Sequence, residues 1–549
     1  MKFEIKKFDA AGRIGLITHN GKTLITPTIL PVVSPFDNVI PPRSLYEEFG
    51  AKAIFTNAYI LYNNKEKAQI AESKGLHSYL DYDGLIATDS GAFQHYMYGN
   101  KNEITAGEIE SFQERIQSDF PVILDIPVQL SDSKEIARNK VTQTIQRAKE
   151  NISRRTSTHG AWYGPIHGTM YPDIIQESCE GMNPLDFGIY AVGGIVKAMN
   201  AYAFELCVDA FLTVKKNIRQ DRPVHMFGLG LPQFFSLAVA TGADLMDSAA
   251  YILFAKEGRY FTLEGTRNIL DLSELPCSCP VCSNHRASEI ASLFKTGKKQ
   301  KKQHNEGIEL LTRHNLHVTF GELRTIRESI RNGSLWELVE QRIQSHPKLI
   351  RAYEKIPAYW KEIETLIPIE KKKGQMYKGD VSLSRPVFQR MSSKVMNTYK
   401  IPKNTFLLLI PESEETLFNS PNGKEWINSI EHVMKTSDIS IEPLVVSTYF
   451  GLIPLDLYGI YPFSQRDWAE PHENIADSIS FSSIIKYLEI NEKNITQIVV
   501  YYPPKNQEDQ KTNLFIDTIM TELGKKEKLG TLNPVQIIKE IEDLKKILE

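Results

Sequence analysis

From Thr23 to about Gly265 the chain alternates short apolar runs with longer stretches whose apolar residues recur at three- and four-residue steps. The runs include Ala53-Ile-Phe-Thr, Gly84-Leu-Ile-Ala-Thr-Asp, Pro121-Val-Ile-Leu-Asp, Gly188-Ile-Tyr-Ala-Val-Gly-Gly and Pro223-Val-His-Met-Phe-Gly. Between them lie Thr105 to Ser118, Ser133 to Arg155 and Tyr202 to Arg219, charged and helically spaced. Strand–helix alternation of this kind implies parallel strands joined by crossover helices. Its repetition, with no glycine-rich dinucleotide turn after the first strand, favours an α/β fold of the (β/α)8 TIM-type barrel class over an open doubly wound sheet. The spacing therefore predicts a catalytic barrel over 1–275. A mainly helical subdomain follows over 276–365, with amphipathic stretches at Ile326-Arg-Glu-Ser-Ile-Arg and Leu335-Trp-Glu-Leu-Val-Glu-Gln-Arg-Ile. Residues 376–503 mix β-like runs with helical pieces and predict a separate α/β accessory domain. The last segment, 504–549, reads as a lysine-rich helical tail that ends in an amphipathic helix from Gln536 to Leu548.

Composition changes this picture little. At 549 residues the chain exceeds a single hydrophobic core, so two or more domains are expected. Its 42% hydrophobic and 24% charged residues are those of an ordinary globular protein. No stretch approaches the roughly 18 to 20 apolar residues of a membrane span, and Met1-Lys-Phe-Glu-Ile-Lys-Lys lacks a signal-peptide core, so no membrane association and a cytoplasmic location are expected. A net charge of −3 neither demands nor excludes nucleic acid.

The cysteines change it more. Cys277, Cys279 and Cys282 place three of the chain's five cysteines within six residues. They cannot all pair with one another as disulfides, whereas their spacing suits a tetrahedral zinc ion whose fourth ligand comes from further along the chain. His285, His304, His314 and His317 are the candidates. Between them runs Lys295-Thr-Gly-Lys-Lys-Gln-Lys-Lys, five lysines in eight residues, either a solvated loop or a phosphate contact.

Catalytic residues of (β/α)8 enzymes lie at the carboxyl ends of strands. Asp89, Asp125 and Asp247 each close an apolar run. Singly, each reads as a turn former or helix cap; jointly, two carboxylates facing one sugar are the apparatus of double displacement, one as nucleophile and one moving protons. Gly193 and Gly194 let a flat ligand approach the backbone, or form a strand exit. His167, at the end of Gly164-Pro-Ile-His, either satisfies a buried hydrogen bond or reads the edge of a base.

Together, Asp89-Ser-Gly-Ala-Phe-Gln, Asp125-Ile-Pro, Pro165-Ile-His-Gly, Val192-Gly-Gly-Ile, Gly242-Ala-Asp-Leu-Met-Asp-Ser-Ala-Ala-Tyr and Cys277-Ser-Cys-Pro-Val-Cys resemble the tRNA-guanine transglycosylases in order and spacing. Asp247-Ser-Ala-Ala-Tyr-Ile-Leu-Phe-Ala resembles the archaeal branch, which exchanges guanine at position 15 in the D-loop of tRNA. The resemblance implies a pentosyltransferase that replaces guanine with 7-cyano-7-deazaguanine through a covalent enzyme–RNA intermediate, the first step of archaeosine formation. It implies Asp247 as nucleophile and Asp89 as general acid/base, with Ser90, Phe93, Asp125, His167, Gly194 and Ile195 binding the base. It implies one structural Zn2+ on Cys277, Cys279, Cys282 and His314, the last from its His-Asn-Leu context, and a homodimer. Two departures stand out. His167 occupies a position where the family carries Gln, and 504–549 does not resemble the terminal PUA-type RNA-binding domain, which is then absent or supplied by a separate chain. The nearest rivals are the archaeosine synthase paralogue, which lacks the strand-end aspartate pair, and a non-catalytic tRNA-binding subunit.

Overall fold

The computed structural model describes all residues except 93–103, 296–300, 368–370, 372–373, 413–420, 437–438, 465, 470–478, 502–509, 529–531, 540 and 549. The chain divides into two units, Met1–Lys355 and Ile356–Glu549.

The first unit opens with an antiparallel sheet of β1 (Lys2–Asp9), β2 (Gly12–His19) and β3 (Lys22–Ile25), an element absent from the sequence expectation. Eight short strands follow, all parallel to their neighbours: β4 (Thr28–Pro31), β5 (Ala53–Asn57), β6 (Leu85–Asp89), β7 (Phe120–Pro121), β8 (Tyr163–Ile166), β9 (Ile189–Val192), β10 (Val224–Met226) and β11 (Leu245–Ser248). They form one sheet of order β4-β11-β10-β9-β8 and another of order β5-β6-β7. Two parallel bridges, Val32 to Phe55 and Val122 to Tyr163, link β4 to β5 and the end of β7 to β8. Helices separate the strands where the charged stretches predict them. Ala106–Arg115 begins at a reciprocal cap between Thr105 and Glu108, and Lys134–Arg154 begins at Ser133, whose hydroxyl accepts from the Ile136 amide.

Side chains two apart on a strand share a face. Leu30, Ala53 and Phe55, Leu85 and Ala87, Phe120 and Val122, Tyr163, Ile189 and Ala191, and Leu245 accordingly meet in one buried cluster with Ile17 and Leu24 of the N-terminal sheet. That sheet covers the amino ends of the strands. Arg13 makes a buried bidentate pair with Asp244, just before β11, at 2.7 and 2.8 Å. Lys22 Nζ donates to the Gly84 carbonyl before β6, and Asn20 Nδ2 donates to Asp119 before β7, both at 2.8 Å. The carboxyl ends remain open.

The helical segment after the cysteines belongs, as far as Lys355, to this same unit. The physical reason is a shared core. Ile290, Ile308 and Leu311 pack with Ala255, Tyr260 and Ile269, and the helix Lys301–Asn332 runs past β12 (Arg259–Thr262), which pairs with β13 (Gly265–Asn268).

In the second unit β14 (Gln375–Lys378) pairs with β18 (Arg466–Ala469), and a five-stranded sheet has the order β17 (Gly451–Pro454), β16 (Ser440–Ser447), β15 (Thr405–Pro411), β19 (Ile495–Tyr501), β20 (Val535–Ile538). Both faces are covered: Leu408 and Ile410 point into one cluster, and Leu407 and Leu409 into the other. Such two-sided burial produces continuous apolar runs rather than alternation. The segment 504–549, expected as a helical tail, is part of this body. Its residues Val535–Ile538 pair in parallel with β19, and Leu523 and Ile538 are buried. The helical spacing read from Gln536 yields to the unfilled hydrogen bonds along the edge of β19, while Gln510–Lys528 and Ile541–Leu548 are helical. Among the described residues, no helix is long and apolar enough to cross a membrane.

One buried cation in the first unit makes a stability prediction. Lys215 is 5% exposed, and its ammonium finds no hydrogen-bond partner among the described residues. Burial, and then the nearby Arg13 guanidinium, lower its pKa from 10.5 to about 7. Between those values the unfolded chain holds the proton that the folded chain has released, so stability rises with pH; below about 7 both states are protonated and the buried charge is fully destabilising. Lys215→Met is expected to raise the melting temperature at neutral pH and to remove this part of the rise towards about pH 9. Thermal unfolding of both proteins at the two pH values checks it; parallel pH slopes contradict it.

Candidate active site and metal centre

The open carboxyl ends of the strands surround a cavity of about 650 Å³, within the range of small-molecule sites. Its polar lining follows from the alternation. Asn57 lies two residues beyond the inward Phe55, Asp89 beyond Ala87, Gly193 beyond Ala191 and Asp247 beyond Leu245, and each lines the cavity. His167 and Phe227 occupy the equivalent positions beyond β8 and β10.

Asp89 ends β6 and is held through both oxygens. Asn57 Nδ2 donates to Oδ2 at 2.7 Å and the Gly91 amide donates to Oδ1 at 3.0 Å. The orientation of Asn57 is itself set, because its Oδ1 caps the next helix by accepting from the Ile60 amide at 2.8 Å. Asp247 is held differently. The Gly228 amide at 2.9 Å and His225 Nε2 at 3.0 Å both donate to Oδ1; among the described residues no hydrogen bond reaches Oδ2. A carboxylate anchored by one oxygen presents the other in a fixed direction, a geometry suited to nucleophilic attack.

Asp125 also lines the cavity but is not in a strand. β7 stops at Pro121, whose ring nitrogen cannot donate to a ladder, and Asp125 sits on the irregular backbone beyond it. Its Oδ2 lies 2.5 Å from His167 Nε2, while His167 Nδ1 is buried with no partner among the described residues. The imidazole fits only because residue 193 is glycine: a β-carbon there would collide with the ring. At Gly194, φ of +78° and the closeness of the Val128 carbonyl likewise exclude a side chain. Ser90 and Ile195 are buried but do not line the cavity; the Ser90 hydroxyl donates to the Ile123 carbonyl at 2.9 Å and so ties the end of β6 to the Asp125 segment. Phe93 lies outside the described residues.

Asn57, Tyr163 and His225 are missing from the sequence-based candidates. His225 lies within a run recognised as a strand, Asn57 just after one and Tyr163 just before one, so carrying the two-residue alternation along Ala53–Asn57 and Pro223–Gly228 would have found Asn57 and His225.

The three clustered cysteines meet His314, and their ligand atoms all lie within 4.8 Å of one another. Cys279 Sγ is 3.5 Å from Cys282 Sγ, and His314 Nδ1 is 3.5 and 3.3 Å from those two sulfurs. These separations approach the edges of a tetrahedron of about 2.3 Å bonds, roughly 3.7 Å. His314 Nε2 donates to the Phe261 carbonyl at 2.9 Å, which leaves the Nδ1 lone pair facing the sulfurs. The four residues therefore fit a metal ion. His285, His304 and His317 are not in this group; His304 packs against Phe294 and His317 against Phe49. The cluster also bears on the cavity. Asn315, next to His314, accepts from the Phe261 amide and donates to the carbonyls of Tyr251 and Arg259, and Tyr251 lines the cavity.

Comparison with known proteins places these features in a family. The family model described as queuine tRNA-ribosyltransferase matches residues 9–348, which span both the cavity and the cysteine–histidine cluster. A tRNA-guanine(15) transglycosylase of Methanocaldococcus jannaschii is 38% identical over 511 residues, 91% of this chain and 74% of that protein. Proteins of the same description from Methanococcus aeolicus and Thermococcus onnurineus are each 40% identical, over 472 and 393 residues, covering 85% and 72% of this chain and 68% and 65% of theirs.

Removal of the metal is expected to loosen the first unit. His314→Ala should lose bound metal and melt at least roughly 5 °C lower, since a four-ligand cross-link between distant segments contributes several kcal/mol. Elemental analysis and thermal unfolding check this; full metal content in the variant contradicts it.

Proposed function

The chain belongs to the queuine tRNA-ribosyltransferase family, and from that premise we propose that it replaces guanine at position 15 in the D-loop of tRNA with 7-cyano-7-deazaguanine. In this reading the eight parallel strands and their two linking bridges form a closed (β/α)8 barrel with the active site at its carboxyl face. The segment after residue 275, as far as Lys355, forms the zinc-binding part of the first unit, and the second unit is an accessory domain.

The target base leaves its stack and enters the cavity, at a cost that phosphate contacts offset. Lys295, Lys301 and Lys302 are candidates for those contacts. Asp247 Oδ2 bonds to C1′ of the ribose as the bond from C1′ to N9 of guanine breaks, and Asp89 gives the departing base a proton. The incoming base gives its N9 proton to Asp89 and displaces Asp247 from C1′. One glycosidic bond replaces another, so no nucleoside triphosphate is consumed. Asp125 and His167 hold the edge of the base, and Gly193 and Gly194 let its plane lie close to the backbone. Cys277, Cys279, Cys282 and His314 hold zinc as a closed four-ligand set, which gives the ion a structural role and braces the wall that contains Tyr251.

The observation that carries this reading is the pairing of two differently held carboxylates in one cavity. Asp247 is anchored through one oxygen and Asp89 through both.

The experiment is incorporation of radiolabelled 7-cyano-7-deazaguanine into a tRNA transcript, with the labelled nucleotide mapped. The wild-type protein is expected to label position 15, and Asp247→Asn to lose at least about 10³-fold in rate, as for loss of a covalent nucleophile. Label at another position contradicts the site assignment, and full activity of Asp247→Asn contradicts the nucleophile.

A further inference from the structure

Behind Asp247, away from the cavity lining, lies a buried chain of polar groups that none of the steps above uses. His225 Nδ1 is 2.8 Å from the Tyr163 hydroxyl, and His225 Nε2 is 3.0 Å from Asp247 Oδ1. Both His225 and Tyr163 are 0% exposed. We propose that Tyr163 and His225 are positioning residues for the exchange reaction: the Tyr163 hydroxyl donates to Nδ1 and fixes the imidazole as the Nε2–H tautomer, which holds Asp247 Oδ1 and aims Oδ2 at the sugar. The proposal rests on the reading of Asp247 as the nucleophile.

The direction of each hydrogen bond follows from what the groups can do. An ionised carboxylate only accepts, so Nε2 carries the proton. In the neutral imidazole Nδ1 is then an acceptor, and the hydroxyl must donate to it. The phenol keeps its proton, because burial and then the nearby charge of Asp247 push its pKa well above the usual range. Among the described residues the ring has no other polar partner, and Phe55 meets it edge to face at 5.9 Å and Phe227 at 4.9 Å. The chain therefore has a single consistent polarity, from hydroxyl to imidazole to carboxylate.

This arrangement serves both half-reactions of the exchange. When Oδ2 bonds to C1′ and the bond from C1′ to N9 breaks, Oδ1 becomes the carbonyl oxygen of an ester. The Gly228 amide and His225 Nε2 still donate to it. When the nitrogen of the incoming base attacks C1′ and gives its proton to Asp89, the electron pair of the ester bond returns to Asp247, and the same two donors stabilise the carboxylate as it leaves. Donors fixed on the oxygen that does not react thus serve both half-reactions, and a buried relay keeps them in place without solvent rearrangement.

Three variants test the assignment in the full-length protein, with labelled guanine exchanged into a tRNA transcript. Tyr163→Phe deletes one hydroxyl and is expected to lower kcat about tenfold, the effect of one neutral hydrogen bond, while KM for tRNA stays unchanged. His225→Leu removes the donor to a charged group and is expected to lower kcat about a hundredfold. His225→Gln keeps one amide donor and one carbonyl acceptor, and it is expected to recover most of that loss. Nitrogen NMR of histidine-labelled protein should show His225 as the Nε2–H tautomer in the wild type and as a mixture in Tyr163→Phe. A folded Tyr163→Phe with wild-type kcat and an unchanged tautomer overturns the relay, as does a folded His225→Gln no faster than His225→Leu. A wild-type protein that exchanges no guanine overturns the functional reading instead, and the relay with it.

Discussion

A parallel strand turns every second side chain to the same face, and in the first unit eight strands send those side chains into one interior. The rest of the site depends on this constraint. Buried inward positions are filled by Leu85 and Ala87, by Phe55 and by Leu245, which pack with their neighbours' equivalents. The next inward position on each of these strands, at the uncovered end, is Asp89, Asn57 and Asp247. The packing that removes apolar area from water thereby also fixes where polar groups converge. The amino ends are covered by the N-terminal antiparallel sheet through the Arg13–Asp244 pair and the contacts of Lys22 and Asn20, so a ligand meets the carboxyl ends.

The cysteine–histidine cluster acts on the site through the backbone. His314 and Asn315 are consecutive on one long helix; the first faces three sulfurs, and the second holds the carbonyl of Tyr251, three residues past Ser248 at the end of β11. A metal ion held by His314 and the three cysteines would clamp one wall of the cavity. The fold couples that cluster to the cavity through Asn315 and through Ile252, which lines the cavity and packs in the apolar cluster that contains the three cysteines.

The alternation of apolar runs with helical stretches, the strand-end positions of Asp89 and Asp247, and the cysteine spacing were all legible in the sequence, because each is a local pattern. What was not legible depended on contacts between distant segments. His167 and Asp125 are 42 residues apart, and nothing in either neighbourhood announces that they pair. The Asp125 run looks like a full strand, yet Pro121 ends the ladder early. Val535–Ile538 reads as part of a helix and becomes a strand only because β19 offers an edge. The alternation along Pro223–Gly228 points His225 inward, but that it meets Tyr163, 62 residues away, is visible only in the fold.

The central claim is that Asp247 is the atom donor of a covalent link to the RNA. Denaturing the enzyme with tRNA in the absence of an incoming base should trap that link, and mass spectrometry of the digested adduct locates it. The account predicts ribose on Asp247; ribose on Asp89, or on any other residue, contradicts it.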